Sequence, residues 1–239
     1  MEPTNSPGRP DLAQQPAFAH PSRRNFLKYA GFSGLAATAL AACNKLGTTK
    51  PIPGSGTGKS INLGSGDTGI LNYAFALEQL EAAFYTAVLL DPYSNISPFE
   101  ALYLADIRDH EIAHREFFRT VLGTNAIPDL TPNFSSVNFS DRTSVLTTAK
   151  TFEDTGVSAY NGAGSLISSA AYLTLAGKIV SVEARHAAFI REQLSYGSFA
   201  DSTVVSAQGL DTSRTPAQVL TLVAPFIVET LDGSNLPTS

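Results

Sequence analysis

Two Glu-x-x-His pairs, Glu111/His114 and Glu183/His186, lie far apart in the chain. Each is preceded by a glutamate with a tyrosine seven residues later, Glu78 with Tyr85 and Glu153 with Tyr160. One pattern is therefore written twice. A Glu and a His three apart in a helix are neighbours on one face, so each pair presents a carboxylate and an imidazole side by side. Four glutamates and two histidines supplied by four helices are the ligand set of a di-iron or di-manganese carboxylate site inside a bundle. Two iron ions are the expected cofactor. Manganese is the alternative, because both metals accept mixed oxygen and nitrogen ligands.

Four helical segments must carry these residues. Residues 68–90 have apolar positions at helical spacing and no proline. The second segment opens at a capping box, Ser97-Pro98-Phe99-Glu100, with proline at the first helical position, and stops at Gly123. Residues 125–139, with Pro128 and Pro132, read as a loop. The third segment covers about 141–160 with Ser140 as its cap, Asn161-Gly162-Ala163-Gly164 is a break, and the fourth covers 165–194. A shorter fifth helix is expected over 216–229, weakened near its end by Pro225. Short first and third connections make antiparallel neighbours, and the long second connection can recross the bundle. The expected fold is all-α, a four-helix bundle with one long crossover, the ferritin-like arrangement, and a short additional C-terminal helix.

The acids belong inside this bundle. Residues 68–90 contain only two charged side chains, Glu78 and Glu81, with no basic partner in the segment. The stripe Leu71, Ala74, Glu78, Ala82, Tyr85, Leu89 is apolar around its glutamate, as are Leu104, Ile107, Glu111, His114, Phe118 on the second segment and Leu146, Ala149, Glu153, Val157, Tyr160 on the third. The fourth repeats the pattern in Ile179, Glu183, His186, Ile190. Burying an unpaired carboxylate costs several kcal/mol, and four that converge repel one another and take up protons. Two divalent cations cancel their charge.

Glu81 lies one turn from Glu78 and is read as a hydrogen-bond partner of a ligand, a substitute ligand or a core-edge residue. Periodicity slightly favours Glu78 as the ligand, and the tyrosine spacing decides for it. Tyr85 and Tyr160 are expected to hold ligand carboxylates by hydrogen bonds across the bundle. Arg108, Asp109, Arg115 and Arg185 read as surface charges in preference to supports behind the ligands. His110-Glu111-Ile112-Ala113-His114 also matches the zinc-peptidase signature His-Glu-x-x-His. That reading leaves Glu78, Glu153 and the second Glu-x-x-His unused, and His110 points about a quarter turn from the Glu111/His114 stripe.

The N-terminal residues read as an address. Ser22-Arg23-Arg24-Asn25-Phe26-Leu27-Lys28 is a twin-arginine motif ahead of an Ala/Gly-rich run, and Leu40-Ala41-Ala42-Cys43 resembles a bacterial lipobox. Cys43 is the sole cysteine, so it forms no internal disulfide and is the expected lipidation site. Residues 1–42 are thus expected to be a signal peptide, 43–66 a flexible Gly/Pro/Ser-rich tether, 67–232 the bundle and 233–239 a tail. Export to the periplasm or cell surface, with a lipid anchor in a membrane, follows. Without residues 1–42, 12 basic and 19 acidic residues remain, a net charge of −7. An acidic chain with no basic cluster argues against nucleic acid as a partner.

At Leu77-Glu78-Gln79-Leu80-Glu81-Ala82-Ala83-Phe84-Tyr85 and the two Glu-x-x-His pairs, the chain resembles the ferritin-like superfamily. In particular it looks like the exported ferritin-like domain proteins of bacteria, relatives of the plant desiccation-related proteins. The likeness extends over roughly 67–229 and takes in Thr215-Pro216 and Ala224-Pro225-Phe226. Bacterioferritin and rubrerythrin also place a tyrosine seven residues after the first-helix ligand glutamate. The resemblance implies that Glu78, Glu111, His114, Glu153, Glu183 and His186 are the ligands. The function expected is redox chemistry with O₂ or H₂O₂, ferroxidase-like or peroxidase-like, with a manganese catalase-like version open. The alternative is a non-enzymatic desiccation or oxidative-stress protein whose metal is structural or absent. A lipid-anchored chain does not easily close a storage cage, although a homo-oligomer is compatible with the pattern. With no rubredoxin-type cysteine cluster, any electron donor is external.

Overall fold

A computed structural model describes residues 58–238. Arg23, Arg24, Cys43, the signal segment and most of the expected tether lie outside the described residues. Helix α1 (Gly66–Leu90) is followed by α2 (Pro98–Leu122), α3 (Arg142–Ala163), α4 (Ala170–Leu194) and a short α5 (Pro216–Val223). α1 packs along α2 and α3 along α4, with α1 also against α3. The short connections join the two pairs, and residues between Gly123 and Asp141 make the crossover. No described helix is long and apolar enough to cross a membrane.

α1 is buried on nearly every side, including Tyr73, Phe75, Leu77, Phe84 and Tyr85. A helix apolar all round must sit at the centre of its bundle, which accounts for the dearth of charge read in its sequence. Its buried polar residues Asn72 and Gln79 serve the crossover, whose backbone groups would otherwise go unpaired. Asn72 Oδ1 accepts from Ile127 N and its Nδ2 donates to Asn125 O, while Gln79 Oε1 accepts from Leu130 N at 2.8 Å. Beyond them the crossover turns Phe134 and Phe139 onto Phe84, which packs edge-on against Phe152.

Several expected boundaries move. Asp141, not Ser140, caps α3, its carboxylate accepting from Thr143 N and Ser144 N. Ser97 caps α2 as read, accepting from Glu100 N, but Glu100 spends its carboxylate on Arg142 instead of closing a capping box. The reciprocal box occurs at α5, between Thr215 and Gln218. The break expected at 161–164 is largely helical. Gly162 is there because the Arg214 carbonyl passes so close that a Cβ would sit 1.8 Å from it, while Arg214 N donates to Ser158 O. α4 therefore starts at Ala170 and not near 165, with Ser169 as cap. The fifth helix ends at Val223, short of 229. A 3-10 turn (Ala224–Phe226) and a short strand follow.

That strand, β2 (Thr230–Asp232), pairs in parallel with β1 (Ser60–Asn62), Ile61 opposite Leu231. Among the described residues the fold is thus all-α with one small two-stranded sheet that the sequence did not announce. Ile61, Leu63 and Leu236 are buried. The tether expected over 43–66 therefore yields its last residues to the fold, and the tail expected over 233–239 packs Leu236 into the core. Three-residue strands are too short to show an alternation.

Candidate metal centre

α1 contributes Glu78, α2 Glu111 and His114, α3 Glu153, and α4 Glu183 and His186, all from mid-helix positions that face the bundle axis. All four glutamates are fully buried. Their oxygens and the histidine nitrogens form two groups able to hold a metal ion. One is Glu78, Glu111, His114 and Glu183; the other is Glu111, Glu153, Glu183 and His186. Glu111 and Glu183 belong to both.

The distances give each carboxylate its place. His114 Nδ1 lies 2.9 Å from Glu183 Oε1, 3.4 Å from Glu78 Oε2 and 3.5 Å from Glu111 Oε2. His186 Nδ1 lies 2.8 Å from Glu111 Oε1, 3.5 Å from Glu153 Oε2 and 3.8 Å from Glu183 Oε2. The two Glu-x-x-His glutamates thus turn one oxygen to each histidine, while Glu78 and Glu153 each reach one. Despite these short approaches, Glu78 Oε2, Glu153 Oε2, both oxygens of Glu111 and of Glu183, and both Nδ1 atoms make no hydrogen bond. Buried polar atoms left unpaired cost about 1–3 kcal/mol each. Eight of them aimed at two shared points fit a pair of divalent cations, whose charge would balance four carboxylates.

The remaining oxygens are tied across the bundle. Tyr85 of α1 donates to Glu153 Oε1 of α3 at 2.5 Å, and Tyr160 of α3 donates to Glu78 Oε1 of α1. Each tyrosine holds the glutamate of the other repeat, leaving that carboxylate's second oxygen for the centre. This crossed pairing gives the site an approximate twofold symmetry and matches the repeated Glu-six-Tyr spacing.

Without metal the cluster holds protons. Burial, then Glu183, pushes the Glu78 and Glu111 carboxyls upward, and burial lifts Glu153 to about 7 against the lowering effect of His186. Burial would also raise Glu183, but the two histidines outweigh it and hold this carboxyl at about 2. Burial alone would lower His114. The surrounding Glu111, Glu183 and Glu78 carboxylates instead carry it up to about 12, and Glu153 with Glu111 raises His186 in the same way. Metal-free, the two imidazoles carry positive charge where the cations would sit.

Glu81 is buried beside this cluster but belongs to neither group. Burial, then the charges of Glu183, Glu111, Glu153 and Glu78, keeps its carboxyl well above the usual range. Gly156 on α3 makes room for it, since a Cβ there would lie 3.1 Å from Glu81 Oε1. Arg108 pairs with the exposed Asp109, Arg115 with Glu116, and Arg185 is exposed, so all four predicted surface charges lie outside the centre.

His110 has a place that sequence spacing did not reveal. Its Nδ1 lies 2.9 Å from His186 Nε2, with the two rings stacked nearly parallel. With Nδ1 of His186 directed at the centre, Nε2–H is the donor and His110 the acceptor, which fixes the ring's orientation. His110 is in neither metal-holding group, so the zinc-peptidase arrangement is not formed. The two positions consequently differ. The side chain of His114 is 14% exposed, that of His186 only 6%.

The family model described as the ferritin-like domain matches residues 66–196, from the start of α1 to just past the end of α4. Among curated proteins none matches.

Proposed function

The chain belongs to the ferritin-like domain family, and we propose that it binds a pair of iron or manganese ions and uses them for redox chemistry with O₂ or H₂O₂. The observation that carries this reading is the set of eight buried ligand atoms, without hydrogen bonds and gathered into two groups each able to hold an ion. In this assignment Glu78, Glu111, His114 and Glu183 would hold one ion, and Glu111, Glu153, Glu183 and His186 would hold the other. Such a pair, when bound, supplies reversible change between the divalent and trivalent states to a small oxidant. Tyr85, Tyr160 and His110 orient the ligands, and the apolar bundle excludes bulk water. Glu81, buried beside the centre with its carboxyl held high by burial, is a place for a proton next to the ligands. The action is ferroxidase-like or peroxidase-like, with an external electron donor.

We place the protein in the cell envelope, exported by the twin-arginine route and held by lipid at Cys43. The support is the motif around Arg23 and Arg24 and the Leu40-Ala41-Ala42-Cys43 sequence. The test is elemental analysis of protein exported by its native host, followed by peroxide and O₂ consumption per metal. Two irons per chain that oxidise and turn over support the proposal. Tight metal with no turnover leaves a structural metal in a stress protein, and absence of metal after export removes the assignment.

A further inference from the structure

One helical turn from the Glu78–His114–Glu183 group lies a pocket of about 20 Å³, walled deep by buried residues and opening outward past half-exposed Ile167, Tyr172, Leu175 and Ala176. Three helices line it with residues one turn from their own donors: Ala74 before Glu78, Phe118 after His114 and Ile179 before Glu183. The remaining helix, α3, lines it with Tyr160, whose hydroxyl is already given to Glu78. Apart from Tyr160, Tyr73 and Tyr172, every wall side chain is hydrocarbon.

A void needs roughly 10–15 Å³ to admit one water-sized molecule, and a water needs two to four polar partners to stay. This cavity meets the first condition and not the second. The Tyr160 hydroxyl is committed, and among the other wall residues Tyr73 keeps a buried hydroxyl without a hydrogen-bond partner. With Tyr160 committed, only the Tyr73 and Tyr172 hydroxyls remain in an otherwise hydrocarbon wall, which suits a small apolar guest that accepts weak hydrogen bonds. The geometry points to a dioxygen-binding cavity, from which O₂ reaches the Glu78–His114 position across the Tyr160–Glu78 hydrogen bond. Its use rests on the redox reading above; its affinity for an apolar gas does not. Hydrogen peroxide, a double donor and acceptor, is excluded from this route and enters where His114 meets solvent.

Crystals of the metal-loaded protein pressurised with xenon test the binding directly. Xenon is expected between Ala74, Phe118, Ile179 and Tyr160. Ordered water in that space, or xenon only elsewhere, overturns the inference. Ala176→Leu and Ala163→Leu, two wall positions on different helices, should each displace the xenon. Metal content is expected to stay the same while oxidation by O₂ slows roughly tenfold and oxidation by peroxide changes less than about twofold. Equal slowing with both oxidants, or unchanged O₂ kinetics in a variant that excludes xenon, overturns the delivery role. Xenon bound as described in a protein that consumes neither oxidant would sink the redox function while supporting the gas site.

Discussion

Glu111→Gln separates a shared ligand from a terminal one. Glu111 sets one oxygen 2.8 Å from His186 Nδ1 and the other 3.5 Å from His114 Nδ1, whereas Glu78 approaches His114 alone. Glutamine keeps the shape but removes the charge and one acceptor, so Glu111→Gln weakens both positions and Glu78→Gln weakens one. An ion present at a hundred times its Kd stabilises the fold by about 2.7 kcal/mol, and two independent ions by about 5.4 kcal/mol. In a chain of this size each kcal/mol moves Tm by about 2–4 °C. The loaded protein should therefore melt roughly 10–20 °C above its metal-free form. Glu78→Gln should keep about half of that shift and Glu111→Gln almost none. Without metal the sign changes. Burial and Glu183 hold the Glu111 carboxyl well up, so an amide spares the proton uptake that folding demands of this carboxyl and the metal-free variant melts no lower than the parent. Scanning calorimetry with and without Mn²⁺, alongside metal counted per chain, makes the comparison. Two ions and a full thermal shift in Glu111→Gln would refute the shared role.

Metal affinity should rise with pH. Glu153, lifted to about 7, and His114, carried up to about 12, must each shed a proton to accept an ion. Affinity therefore climbs through neutrality and continues upward as His114 is deprotonated, by about tenfold per pH unit for each proton released; calorimetry in buffers of different ionisation enthalpy counts those protons. Tyr85→Phe and Tyr160→Phe should each weaken one ion by about 10–100-fold, at the Glu153 and Glu78 positions respectively, and stepwise Mn²⁺ titration followed by electron paramagnetic resonance distinguishes them. Arg191, buried between Asp154 and Asp201 at 2.7 Å from each, acts on stability alone. Arg191→Met strands Asp154 and should cost about 3 kcal/mol in chemical denaturation, with metal stoichiometry unchanged.

What could be read from the chain was whatever one helix carries by itself. Glutamate and histidine three apart, tyrosine seven after glutamate, and an apolar stripe around both are properties of a 3.6-residue repeat. They name the residues that face the axis before any partner is in place. The limits of α2 were legible for a similar reason, since Ser97, Pro98 and Gly123 act on their own backbone. Ser140 and Asp141 are adjacent residues able to cap, and only the turn geometry decides between them. Gly162 looked like a helix break because the Arg214 backbone that needs its missing side chain is remote in sequence.

The centre itself depended on the packing of helices against one another. Whether Glu78 or Glu81 reaches the metal group is a matter of rotation by less than a full turn, and the neighbouring α3, with Gly156 opposite Glu81, sets it. That Glu111 and Glu183 are shared, that each tyrosine serves the other repeat's glutamate, and that His110 turns to His186 all require distances between separate helices. Side-chain type and periodicity act along a single helix and so are written in the chain; interhelical spacing is a collective result of the whole core, including the crossover held by Asn72 and Gln79. The sequence determined which groups could meet, and tertiary packing decided which of them share a point.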